Sequence, residues 1–167
     1  MFSARDPSDL ERFFRGLTEH AFHGRLGIVD PPLVDYVATL LVRFIRHDHL
    51  RVLPGAEPVP CDDVSHMLSI AQHEPPDVAR DEYRHIGDYT LFWSGVYPEA
   101  LQRFQRPSEP DHLLDYRAAG KQAYRLAAAL EPEEAVETRH VLVLLSEEYD
   151  SCVVGLGEVR RAWGEAA

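Results

Sequence analysis

The chain has 167 residues, enough for one domain with a substantial core and short for two. Its 45% apolar content excludes a disordered chain. A formal net charge of −11 argues against general nucleic-acid binding and against docking to anionic membranes, since both draw on lysine and arginine.

Lys121 is the single lysine, so nearly all the positive charge is arginine. The N-terminal MFSARDPSDL lacks the apolar core of a signal peptide. No run approaches the roughly 18 apolar residues of a membrane span. Cys61 and Cys152 lie far apart and outside any CxxC pattern, which fits reduced thiols. These features together predict a soluble, cytoplasmic protein.

The first helix is predicted to start at Ser8. Ser8 and Glu11 have capping-box spacing, and Leu10, Phe13, Phe14, Leu17 and Ala21 follow at helical intervals. His20 and His23 end it, and residues 23–27 form a connector. Asp30-Pro31-Pro32 opens a second helix, with Asp30 as its cap and proline where no amide partner is needed. Its stripe is Leu33, Val37, Leu40, Leu41 and Phe44, and Arg43, Arg46, His47 and Asp48 close it as a polar cluster. The proline-rich Leu53–Pro60 stretch is a loop. Asp62 or Asp63 caps a short third helix with Val64, Met67, Leu68 and Ala71 inward, stopped by Pro75-Pro76.

The central helix is predicted over residues 77–97. On a helical wheel Glu82, His85, Ile86, Tyr89, Trp93 and Val96 share one face, with Phe92 at its edge. Its aromatic half is apolar nearly all round, which predicts burial between other helices. A buried acid or imidazole here needs a partner, because an unpaired charge out of water is costly. Alternatively, Glu82 sits in an exposed first turn, where the helix dipole favours acids.

A turn region follows from Pro98 to Pro110, with at most one helical turn at Ala100–Phe104. The next helix is predicted from Asp111 to Leu130, with a stripe of Leu113, Tyr116, Gly120, Tyr124 and Ala127. Gly120 inside it marks close approach of another backbone or a ligand, because glycine costs a helix about 1 kcal/mol relative to alanine. The last segment runs as helix from about Glu131 to Trp163, and Gly155 and Gly157 end or kink it. No stretch alternates long enough for a sheet. The expectation is an all-α, single-domain bundle of six or seven helices spanning residues 1–167, with a buried aromatic central helix.

Two Glu-x-x-His spacings, Glu82/His85 and Glu137/His140, each place an oxygen and a nitrogen on one helical face. Such pairs, with glutamates from two more helices, build di-iron and di-manganese centres, so iron or manganese is the cofactor this pattern would take. The wheel weakens the second pair: the last helix centres its apolar side on Val141, Leu145, Tyr149 and Cys152, and His140 points away. Asp63 and His66 repeat the spacing, with the aspartate better read as a cap. No Gly-x-Ser-x-Gly elbow, phosphate loop or dinucleotide fingerprint is present. Cys152, on an apolar face, reads as an inert core thiol.

The segment HIGDYTLFWSGVYPE, from His85 to Glu99, and the later Tyr116, Gly120, Ala123 and Tyr124 resemble a group of uncharacterised bacterial proteins. That group carries a Gly-Asp-x-x-Leu-Phe-x-x-Gly-x-x-Pro-Glu segment and a tyrosine–glycine–tyrosine helix. The resemblance implies bacterial origin and a helical fold, and no reaction. If the two segments pack together, Asp88, Tyr116 and Tyr124 come near one another.

Three functions follow. The first is a binding or scaffold module without catalytic activity, whose partner is another protein or a second copy in a homo-oligomer. The second is a metalloprotein using Glu82, His85, Glu137 and His140. The third is a pocket for an apolar or haem-like ligand among Asp88, Tyr89, Trp93, Tyr116, Gly120 and Tyr124, residues that otherwise form core.

Overall fold

The computed structural model describes residues 7–46 and 63–166, apart from the side chains of residues 7, 8 and 166. The Ser8 hydroxyl cap, the Leu53–Pro60 loop, His47, Asp48 and Cys61 therefore lie outside the described residues. The fold is all-α. In chain order come α1 (Pro7–Glu19), a π-helical turn (His20–Arg25), α2 (Pro31–Arg46), α3 (Val64–Ala71), α4 (Pro76–Val96), α5 (Pro98–Phe104), α6 (Tyr116–Leu130), α7 (Val136–Glu147) and α8 (Tyr149–Ala166). No strand occurs among the described residues. None of their helices is long and apolar enough to cross a membrane.

Local chemistry sets the first boundaries. Gly27, at φ +67°, turns the chain after the π-helical turn, and the Ile28 N–H returns to the Phe22 carbonyl at 2.9 Å. Asp30 caps α2 as its position predicts: its carboxylate accepts the Leu33 N–H at 3.0 Å. α1 and α2 thus form a helical hairpin, and Trp163 near the end of α8 closes edge-on against Phe14 of α1, ring centres 5.2 Å apart.

α4 is the axis of the molecule. All eleven residues from Ile86 to Val96 are buried. Helices α2, α3, α6 and α8 all pack on it. Two glycines let α6 come close. A Cβ on Gly87 would lie 2.6 Å from a ring carbon of Tyr124, and one on Gly120 would lie 2.5 Å from the Tyr149 hydroxyl. Real side chains are never that close, so both positions exclude alanine in this packing. At its C-terminal end, Arg160 of α8 donates to the Val96 carbonyl at 2.8 Å and stacks over Tyr97 at 4.8 Å. An orphan helix carbonyl is satisfied in this way.

The sequence expectation is corrected at three places. α6 begins at Tyr116 and not at Asp111, with Asp115 as its cap accepting the Ala118 N–H at 3.1 Å, and Leu113 is 90% exposed outside it. Asp111 instead caps α3 from a distance. Its carboxylate accepts the Val64 and Ser65 N–H groups, both at 2.9 Å, and the Ser65 hydroxyl at 2.7 Å, while Asp63 makes no side-chain cap bond. The last segment breaks at Glu148 into α7 and α8, and Gly155 and Gly157 stay inside α8, where Gly155 faces the Phe22 ring. With α5 a helix of its own, the described residues hold eight α-helices rather than six or seven.

Candidate functional site

A buried carboxylate joins three helices. Asp88 of α4 has a side chain 1% exposed. The hydroxyls of Tyr36 from α2 and Tyr124 from α6 each donate to its Oδ1 at 2.7 Å. Arg43 of α2 donates to Oδ2 and forms an ion pair with it. Arg84, one turn before Asp88, donates from Nε to the Tyr36 oxygen at 2.9 Å and lies over the Tyr36 ring at 5.1 Å. The i, i+4 spacing of Arg84 and Asp88 puts both on the side of α4 that meets α2. A buried carboxylate with three charge-assisted or phenolic donors is fully satisfied.

This network fixes the protonation of its members. Burial pushes the Tyr36 and Tyr124 hydroxyls well above the usual phenol range, and the Asp88 carboxylate adds to the shift. Both phenols therefore stay protonated donors. Burial alone would lower Arg84, but Tyr36 and Asp88 outweigh it and raise it. Arg84 stays a cation.

The network opens outward into two clefts that flank α2. One, of about 290 Å³, is lined by Pro32, Asp35, Tyr36, Thr39, Leu40, Arg43 and Arg84. The other, of about 480 Å³, lies between α1 and α2 and is walled by arginines 12, 15, 43 and 46 together with Glu11 and Thr39. Thr39 and Arg43 belong to both, so Arg43 connects the buried carboxylate to the surface.

The two Glu-x-x-His pairs are not brought together. His85 is half-buried and lies parallel to Phe44 at 6.3 Å and tilted to Tyr89 at 6.1 Å, and Glu82 is half-buried on the same helix. Glu137 is exposed, and the exposed His140 reaches Asp30 at 3.8 Å. Asp30 caps one end of α2 and Phe44 lies near the other, about 21 Å away along the helix axis. Metal–ligand bonds span only about 2 Å. Among the described residues no group of three or more His, Cys, Asp or Glu is placed to hold a metal ion. The cause is the one the wheel indicated: His140 is on the outer face of α7.

The aromatic set is core. Tyr89, Trp93, Tyr116 and Tyr124 are each at most 3% exposed, Gly120 is buried, and none of them lines either cleft. Asp88 and Tyr124 do meet, as the packing of their segments predicts, but the Tyr116 hydroxyl goes to Asp111. Tyr149 donates to Thr90 at 2.9 Å beside Gly120. Cys152 is buried, and burial pushes its thiol up to about 12, which removes it as a nucleophile.

Sequence reasoning missed Tyr36, Arg84 and Asp111. It expected a partner for a buried acid on α4 but looked to Glu82, where the acid is Asp88. A usable signal was the Arg84/Asp88 pair at i, i+4 beside a glycine, facing a helix that carries Tyr36 and Arg43 seven residues apart. The chain matches no protein-family model, and no curated protein or solved structure is significantly similar to it.

Proposed function

We propose that the protein is a bacterial, cytoplasmic binding module without catalytic activity, and that its binding surface is the outer face of α2 with the clefts on either side. The observation that carries this reading is Arg43. One end of its guanidinium is anchored on a buried, fully bonded carboxylate, and its side chain is still 40% exposed in both clefts. A side chain held by its own fold loses little freedom when it binds, which favours recognition. Asp88, Tyr36 and Tyr124 are engaged with one another and with Arg43, so they are not poised for proton transfer. The Cys152 thiol is shielded, and the histidines and glutamates of the metal pattern point to separate places.

The test is a photo-crosslinking amino acid placed at Thr39, on the wall between the clefts, in living cells. Val154, 53% exposed on α8, is the control position. Adducts at position 39 and not at 154 are expected, and their mass tells a small molecule from a protein or a second copy. Equal yields at the two positions, or none at 39, would refute the reading.

A further inference from the structure

We propose that the groove between α1 and α2 binds a small oxyanion-bearing molecule, with phosphate or carboxylate groups held by Arg12, Arg15 and Arg43; this rests on the reading of α2 as the binding face. The whole chain carries −11, yet arginines 12, 15, 43 and 46 wall one groove whose lining has one acid, Glu11. Adding Arg84 and the two nearby acids, Asp35 and Asp88, gives five cations against three anions among the described residues, a local excess of +2. A positive cleft in an acidic protein concentrates anions and leaves the rest of the surface repelling them.

The arginines are unequally engaged. Arg46 pairs with Glu11 at 3.3 Å. Arg43 is committed through one nitrogen to Asp88, and a guanidinium has five N–H donors, so it retains others. Arg15 has a loose contact with Asp35 at 3.7 Å, both side chains more than half exposed, which contributes little. Arg12 makes no ion pair with an acid among the described residues. A volume of about 480 Å³ suits a small molecule. The planar fork of arginine matches the paired oxygens of phosphate and carboxylate alike.

The experiment is calorimetric titration of the full-length protein with pyrophosphate and, separately, with citrate, at low and matched ionic strength, using sodium chloride as the blank. Saturable binding of either anion is expected; pyrophosphate alone points to a phosphate ligand and citrate alone to a polycarboxylate. Arg12→Gln with Arg15→Gln should weaken the binding at least tenfold. Both side chains are exposed, so the fold should stand, and Thr39→Glu, which puts a carboxylate on the groove wall, is a second variant with the same expected loss. Arg161→Gln, on α8, should bind like the wild type. If neither anion binds saturably, or if the groove variants bind as well as the wild type, the proposal is wrong. Should that happen while the crosslinker at Thr39 still gives adducts in cells, the oxyanion class fails and the binding face stands.

Discussion

Asp88 is held by two phenols and a guanidinium from two other helices, and its removal should be felt by all three. Asp88→Ala leaves the buried Tyr124 hydroxyl and the half-buried Tyr36 hydroxyl without their acceptor. Breaking a buried ionic network in this way costs about 3 kcal/mol or more. Tyr124→Phe removes one donor and leaves the carboxylate two, so about 1 kcal/mol is expected. Urea unfolding of both variants checks the order.

Asp111 offers a pH test. Burial by itself would raise its carboxyl, but the bonds from Tyr116, Ser65 and Val64 outweigh that and hold it below the ordinary 3.8. A carboxyl depressed in the fold contributes stability that is fully present above its unfolded pKa. That contribution fades as pH falls through the lower, folded value. Asp111→Asn should therefore lower stability by about 2 kcal/mol near neutrality, and the gap to wild type should shrink in thermal scans below about pH 4. A gap that widens on acidification would contradict the assignment. For Cys152, alkylation at pH 8 followed by peptide mapping should find the residue unlabelled in the folded protein and labelled in denaturant.

At the scale of elements, the sequence was most legible where pattern and burial agree. The stripes of α1 and α2, the Asp30 cap and the burial of the aromatic half of α4 follow from spacing and capping chemistry alone. What spacing cannot reveal is a partner from another segment. Asp111 looks like the first residue of its own helix and is the cap of α3, because a carboxylate serves whichever free amides the fold brings to it. The break at Glu148 was equally hidden: Gly155 and Gly157, expected to end or kink the last helix, lie inside α8, and Gly155 is a close-packing site against Phe22. Gly120, by contrast, is a point of close approach, although side chains, Thr90 and Tyr149, come near it rather than the backbone or ligand its position suggested. Its test runs against helix propensity. Alanine should favour an isolated α6 by about 1 kcal/mol, yet Gly120→Ala should destabilise the protein by about 2 kcal/mol, because the methyl group collides with Thr90 and Tyr149. A variant of unchanged or higher melting temperature would show that α4 and α6 are not so tightly seated.

For the whole molecule, the candidate site was only partly visible in the sequence. Arg43 and Arg46 stood out as a polar end to α2, but their alignment with Arg12 and Arg15 depends on how the hairpin of α1 and α2 closes. The paired Glu-x-x-His spacing was the more conspicuous signal and led elsewhere, because a motif fixes the face of one helix and says nothing of where the second helix points. We propose that the polar residues inside this bundle serve its architecture and that its function is carried by the surface of α2. Elemental analysis by mass spectrometry of protein purified from cells, with its visible spectrum, tests this most directly. The prediction is a colourless protein without stoichiometric iron, manganese or zinc, and an unchanged metal content in His85→Ala. Stoichiometric metal that disappears in His85→Ala would contradict the account and move the function into the core.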